Sequence, residues 1–375
     1  MYNSFLTMAL LSAIFTSCGC NETSSTTDSL SPTTEILYTM PEESEPHEGT
    51  WLYWPHQYQF GITYRNRLDA TWVAMTKALV PSEKVHLVAY DETEKNRIIG
   101  LLNTEGVPLT NVDFKIYKTD DVWSRDSGPI YVRDKAGNLV IEDWGFNGWG
   151  KKFAYANCTL IPTKIANDQA KTVVDLNNTM IIEGGAVEID GNGTLLATKS
   201  AILNNNRNPG MIQAKAEEIL TKYYGVTHFM WLDGVAGLEI TDMHIDGFAK
   251  FVNQNTLVTM SKADLLSWDV PQADIDKLYA AKNKNGTAYT ILQLPLTKNN
   301  AVTAYGKALG YKGSYANFYI ANTVVLVPNY NDPNDAVANA AIQKWYPNRT
   351  VVGIDVRNLY ENGGMVHCVT QQQPR

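Results

Sequence analysis

The chain is poor in cysteine, in basic runs and in nucleotide-binding loops, and each shortage removes a class of protein. Four cysteines among 375 residues, at positions 18, 20, 158 and 368, make no disulfide framework. No run of Lys and Arg is long enough to follow a phosphate backbone, and the net charge is -8, so nucleic acid is not an expected partner. The acidic balance suits a cationic ligand, though it is equally ordinary for solubility. Neither G-x-G-x-x-G nor a Walker A segment occurs, and no H-x-x-x-H or C-x-x-C spacing supports a metal site. No segment after residue 40 has the composition of a linker, so one domain is expected over 40–375.

Charge is also missing from residues 1–20, which carry the apolar run Phe5–Phe15. That run is too short to cross a bilayer core of roughly 30 Å and fits a signal-peptide core, although the expected N-terminal Lys or Arg is lacking. Phe15-Thr16-Ser17-Cys18 resembles a loose bacterial lipobox, with Cys18 the lipidated residue and Cys20 the alternative. Residues 21–39, rich in Ser and Thr, read as a flexible tether. The expectation is an exported, membrane-anchored lipoprotein, or a periplasmic or secreted protein, touching membrane only through its lipid. Removal of the leader leaves an odd number of thiols, so at least one is free.

The composition is globular, 44% hydrophobic and 19% charged. Leu68, Trp72, Met75 and Leu79 recur at helical spacing and predict a helix over 66–80; others are expected at 93–103, 212–223, 271–281 and 334–345. Apolar runs predict strands at 51–54, 84–90, 112–117, 227–232, 248–252, 256–260, 287–293, 317–321, 323–327 and 350–355. Two hairpins are expected, around 135–138 and 190–193. Strands mixed with hairpins and single helices indicate α/β or α+β rather than a doubly wound parallel sheet.

Four stretches carry the candidate chemistry. The chain closes on Gly363-Gly364-Met365-Val366-His367-Cys368, a glycine turn delivering a thiol near an end that would otherwise fray. Asp126 lies in Trp123-Ser124-Arg125-Asp126-Ser127-Gly128-Pro129, where alone it could simply cap a turn or pair with Arg125. Glu183 follows the apolar Met180–Ile182, and alone it could be a solvated loop residue. His244 and Asp246 open a predicted strand and would share a face if the strand reached back to 244. A Cys–His pair is a standard source of a thiolate nucleophile. Surrounding it with carboxylates suits a planar cation, which they can hold by charge-assisted hydrogen bonds.

At these residues the sequence resembles the agmatine deiminase family, which extends to bacterial peptidyl-arginine deiminases. The resemblance rests on Met40-Pro41 through Trp54-Pro55, W-x-R-D-x-G-P at 123–129 and the Asp143–Gly150 stretch. It continues through Glu183-Gly184-Gly185, Leu203–Pro209, H-x-D at 244–246 and G-G-x-x-H-C-x-T-Q-Q-Q-P at 363–374. It implies the five-bladed α/β propeller of guanidine-modifying enzymes, with no metal or organic cofactor. Cys368 would attack the guanidinium carbon of a small cationic substrate, agmatine or an arginine compound. His244 would serve as acid and then base, with Glu183 orienting its ring. Asp126 and Asp246 would bind the guanidinium and Trp123 would wall its slot. Trp144, Asn147 and Trp149 would shape the pocket, Gly364 would admit substrate, and His367 would face away as a structural residue.

One departure bears on the substrate. Four positions before the catalytic histidine the family pattern has an acid, and this chain has Ile240, with Glu239 and Asp242 nearby. Lys151 and Lys152 are candidate cations for a carboxylate tail. The leading expectation is agmatine to N-carbamoylputrescine and ammonia, a step toward putrescine, and an arginine or peptidyl-arginine deiminase is the alternative. A metal-binding set built from the same five residues, or a non-catalytic cation binder, are the readings from other classes. Assembly as a homo-oligomer is left open.

Overall fold

The computed structural model describes Thr34–Arg375, one compact unit, so Cys18, Cys20 and most of the expected tether lie outside the described residues. The last tether residues belong to the fold, because Tyr38–Thr39 pairs with Ile130–Asp134. No helix among the described residues is long and apolar enough to cross a membrane.

The fold is mixed α/β, with five separate sheets among the described residues. Four of them repeat one unit: an antiparallel pair, a crossover helix, then a parallel strand. Ile130–Asp134 and Leu139–Gly145 are antiparallel, and Val173–Ile181 joins in parallel after helix Ile161–Asp168. Val187–Ile189 and Thr194–Thr198 are followed through helix Gln213–Tyr224 by His228–Leu232. Lys250–Asn253 and Thr256–Met260 are followed by Thr290–Leu294, and Tyr319–Ile320 and Val324–Asn329 by Thr350–Asp355. The fifth sheet closes the chain on itself. C-terminal Gln371–Pro374 pairs antiparallel with His47–Tyr53, beside which Lys84–Ala89 and Val112–Ile116 run parallel. A crossover helix is what lets parallel neighbours connect, which explains the helix between each such pair.

Four crossover helices fall where their apolar spacing predicts, at Glu92–Thr104, Gln213–Tyr224, Gln272–Tyr279 and Asn334–Trp345, whereas Ile161–Asp168 was not expected. Gln57–Leu79 begins earlier than expected, with its first turn set off at Gly61 and capped by the His56 ring. The largest core cluster packs this helix, through Leu68, Trp72, Met75 and Leu79, against strands on both of its flanks. Three strands escape the pattern reading, Tyr38–Thr39, Val173–Ile181 and Gln371–Pro374. The first lies in the expected tether, and in the other two polar side chains interrupt the apolar alternation that marks a strand.

Candidate active site

In each of the five sheets one antiparallel strand is preceded by a short irregular turn. Four of these turns line one cleft, and the fifth, carrying Glu183, backs His244 from beneath it. Trp123 and Asp126 precede strand Ile130–Asp134, Glu183 and Gly185 precede Val187–Ile189, and His244 and Asp246 precede Lys250–Asn253. Asn317 precedes Tyr319–Ile320, and Cys368 precedes Gln371–Pro374. The cleft has a volume of about 860 Å³, and its walls include Trp123, Asp126, Trp149, His244, Asp246, Asn317, Gly364 and Cys368.

The strand does not reach back to His244, so the condition for a shared strand face is not met. Ile245–Gly247 is a single 3-10 turn and the strand begins only at Lys250, yet His244 and Asp246 both reach the cleft. The imidazole Nε2 lies 3.1 Å from Glu183 Oε2, and Nδ1 lies 3.8 Å from Asp126 Oδ1. Glu183 is fully buried and is held in turn by Arg207, whose Nε donates to its Oε1 at 2.9 Å. Burial opposes a charge on His244, but Asp126, the Glu183 hydrogen bond and Asp246 outweigh it and raise its pKa to about 9. The histidine is therefore an imidazolium at neutral pH, ready to give a proton.

The two guanidinium candidates differ in their surroundings. Asp126 accepts from Trp149 Nε1 at 2.9 Å and from the Gly185 amide at 3.0 Å. Burial still lifts its pKa, with Asp246 and Glu183 adding to the rise and His244 opposing it. Asp246 is also buried, but its hydrogen bond to His367 and nearby positive charge keep its pKa below the usual value. Gly185 permits this crowding: a Cβ there would sit 2.7 Å from His244 Nδ1 and 3.0 Å from both carboxylates. Only glycine leaves room for all three groups.

Cys368 is half-buried, in the 3-10 turn His367–Val369 rather than in extended chain. Its Sγ lies 3.3 Å from Asn317 Nδ2 and 3.7 Å from Asp246 Oδ2. Burial first, then Asp246 and Asp126, push the thiol pKa well above its ordinary value. Gly364 stands against the Trp123 ring, where a Cβ would fall 2.1 Å from Cζ3. The glycine thus lets the indole stack over the turn that carries the nucleophile.

Two expected pocket residues are not in the pocket. Trp144 lies in a separate core cluster, edge-on to Tyr223 and Tyr224, with its Nε1 donating to Glu142. It sits on a strand whose alternation turns the ring to the core. Asn147 is a loop clamp: its Oδ1 accepts from the Gly150 amide at 2.8 Å and its Nδ2 donates to Asn206 O at 2.9 Å. This clamp holds Trp149, which has left-handed backbone (φ 55°) and does reach the cleft. His367 faces away from the cleft, as expected, but it is hydrogen-bonded to Asp246 rather than inert.

The candidate tail-binding groups are occupied. Glu239 is folded onto its own loop, accepting from the Thr241 and Met243 amides. Asp242 binds Arg207 and Lys152, and Lys152 also donates to Ile240 O at 2.7 Å. Lys151 is exposed and does not line the cleft. Ile240 itself does, offering an apolar wall.

Asn317, Arg207 and Glu43 were missed in the sequence. Asn317 touches the thiol, Arg207 fixes Glu183, and Glu43 lies behind His367. Only the repeat of turn-then-strand could have singled out Asn317. Among the described residues no three His, Cys, Asp or Glu side chains group as metal ligands would.

Against known proteins, residues 39–374 match the family model described as Porphyromonas-type peptidyl-arginine deiminase. An agmatine deiminase of Pseudomonas aeruginosa (strain LESB58) is 30% identical over 367 residues, covering 90% of this chain and 95% of the relative. The structure of the Enterococcus faecalis agmatine deiminase superposes with a TM-score of 0.77 at 25% identity, covering 90% of this chain and 96% of the other. A substrate-bound agmatine deiminase variant from C. jejuni gives a TM-score of 0.77 at 26% identity, covering 91% and 97%. The chain belongs to the Porphyromonas-type peptidyl-arginine deiminase family, within which its curated relatives are agmatine deiminases.

Proposed function

We propose that this cleft deiminates a guanidinium through a covalent cysteine intermediate, with agmatine as the leading substrate. The chain is a hydrolase of C–N bonds in linear amidines, as its relatives are. The observation that carries the mechanism is convergence: Cys368, the His244–Glu183 pair and the Asp126 and Asp246 carboxylates meet at one cleft.

The guanidinium lies between Asp126 and Asp246, under the Trp123 ring. Its charge offsets the anions that hold the thiol protonated, so once substrate is bound the thiol releases its proton to solvent and the thiolate forms. Cys368 Sγ adds to the guanidinium carbon, and one C–N bond breaks. The nitrogen leaves with its electron pair and a proton from His244, as ammonia. Neutral His244, oriented by Glu183, then takes a proton from water as its oxygen adds to the carbon. The C–S bond breaks, the thiolate returns, and the product is a ureido compound, from agmatine N-carbamoylputrescine.

We read the five sheets as five blades about one axis, the site lying on it. The support is that each sheet contributes through the turn leading into one of its antiparallel strands. Agmatine is favoured over a carboxylate-bearing arginine compound because the relatives at about 30% identity are agmatine deiminases; Lys152 is committed to Asp242, and Lys312 is the lysine that lines the cleft. Asp121 and Asp269 also line the cleft and are candidate partners for the agmatine amine. Ammonia and ureido product are to be measured with agmatine, free arginine and a peptide ending in arginine. Agmatine should give the highest kcat/KM; turnover of the arginine compounds alone overturns the assignment.

A further inference from the structure

His367 precedes the nucleophile yet takes no part in the chemistry proposed above. Its Nδ1 lies 2.8 Å from Asp246 Oδ2, the same oxygen that is 3.7 Å from Cys368 Sγ. Its Nε2 lies 2.7 Å from Glu43 Oε2, and its amide donates to Asn317 Oδ1 at 2.9 Å. A neutral imidazole carries one N–H and could satisfy only one of these carboxylates as a donor. An imidazolium donates to both carboxylates, whereas a neutral ring protonated at Nδ1 would instead accept from Lys250 at Nε2 and leave Glu43 without that bond.

The charges around it balance on the same terms. Lys250 Nζ reaches Glu188 at 3.0 Å and Glu43 at 3.2 Å, and stands 3.2 Å from His367 Nε2. Arg125 pairs with Glu43 at 3.2 Å and donates to the His367 carbonyl at 3.4 Å. Arg125, Lys250 and His367 thus face Glu43, Glu188 and Asp246, all nearly buried. With all three carboxylates ionised, these six groups are neutral only if His367 is charged; burial raises the Glu188 pKa, and His244 adds positive charge near Asp246. A buried set left with an uncompensated anion is costly, so the pairing favours the imidazolium.

We propose that His367, as an imidazolium anchored by Glu43, is the positioning residue that keeps Asp246 ionised and turns its other oxygen toward the substrate guanidinium. The proposal rests on the deiminase reading for its substrate, but the charge on His367 can be measured independently of turnover. Burial alone would raise Asp246, whereas it is held below the usual carboxylate range, His367 being the largest favourable cause.

Two variants separate positioning from bulk. Asn at 367 keeps a donor near the Nδ1 position facing Asp246, while Gln places its donor near Nε2 and loses that bond. His367→Gln should raise KM for agmatine about tenfold with kcat changed far less, and His367→Asn only about threefold, as expected for losing or weakening a charge-assisted bond. The acid limb of kcat/KM should move to higher pH in the Gln variant, as Asp246 returns toward the ordinary carboxylate value. Equal losses in both variants, or pH profiles superimposing on wild type, overturn the proposal. Should neither variant fold, nitrogen NMR of histidine-labelled wild type decides: both ring nitrogens of His367 should be protonated at pH 7.5. A neutral His367 overturns the proposal. Absence of turnover by wild type would defeat the deiminase reading alone.

Discussion

The thiol of Cys368 lies 3.7 Å from Asp246 Oδ2, and this anion opposes its ionisation. Burial acts first, and Asp246 and Asp126 add to it, so the free enzyme holds the thiol well above its ordinary pKa of 9.0. Alkylation by iodoacetamide without substrate should therefore be slow at neutral pH and still be rising above about pH 9. A rate that reaches its plateau below pH 8 would show a thiolate already formed, contrary to substrate-assisted activation.

Glu183 and His244 set the alkaline side of the pH profile. The folded-state pKa of His244, about 9, exceeds its ordinary 6.5. Its stabilising contribution is thus fully present below 6.5 and is lost as pH rises through about 9. The fraction able to donate a proton falls over the same window. Glu183→Gln should move the alkaline limb of kcat/KM downward and weaken this pH dependence of stability. It should also lower Tm, because Arg207 loses a buried partner. An unchanged alkaline limb would remove His244 as the titrating acid.

Gly364→Ala tests the fit beneath Trp123. The added methyl would fall 2.1 Å from the indole, so the ring or the turn has to move. Overpacking of this kind costs about 1–3 kcal/mol, and displacement of a positioning wall can lower turnover about a hundredfold. Urea unfolding and kcat/KM on the same preparation read both effects. Wild-type values in each would mean that the contact has no consequence.

Much of this fold was legible because crossover helices and buried strands write their periods directly. Asn334–Trp345 falls where its spacing places it. Gln371–Pro374 did not, because Gln-Gln-Gln looks solvated until its partners exist. In the fold Gln372 accepts from Arg125 and Gln373 from Trp51 and Tyr131, so polar side chains are buried in a strand. The site divides the same way. Cys368, His244, Glu183, Asp126 and Asp246 stand in recognisable motifs, and the structure brings them together. Trp144 shares a motif with Trp149, yet strand alternation sends one ring to the core and loop geometry sends the other to the cleft. Arg207 and Glu43 act through pairings across long sequence separations, which no local pattern records.

Ile240 gives the cleft an apolar wall. Ile240→Glu should lower KM for agmatine by about tenfold with kcat little changed, as one added charge-assisted hydrogen bond supplies uniform binding. The steady-state constants decide. A KM that rises or stays constant would mean that the substrate amine is bound elsewhere.

Mass spectrometry of acid-quenched enzyme mixed with agmatine tests the central claim most directly. The account predicts that the peptide bearing Cys368 gains the mass of agmatine less ammonia during turnover. It also predicts that Cys368→Ala shows neither the adduct nor the ureido product. Turnover at the wild-type rate by Cys368→Ala would contradict it.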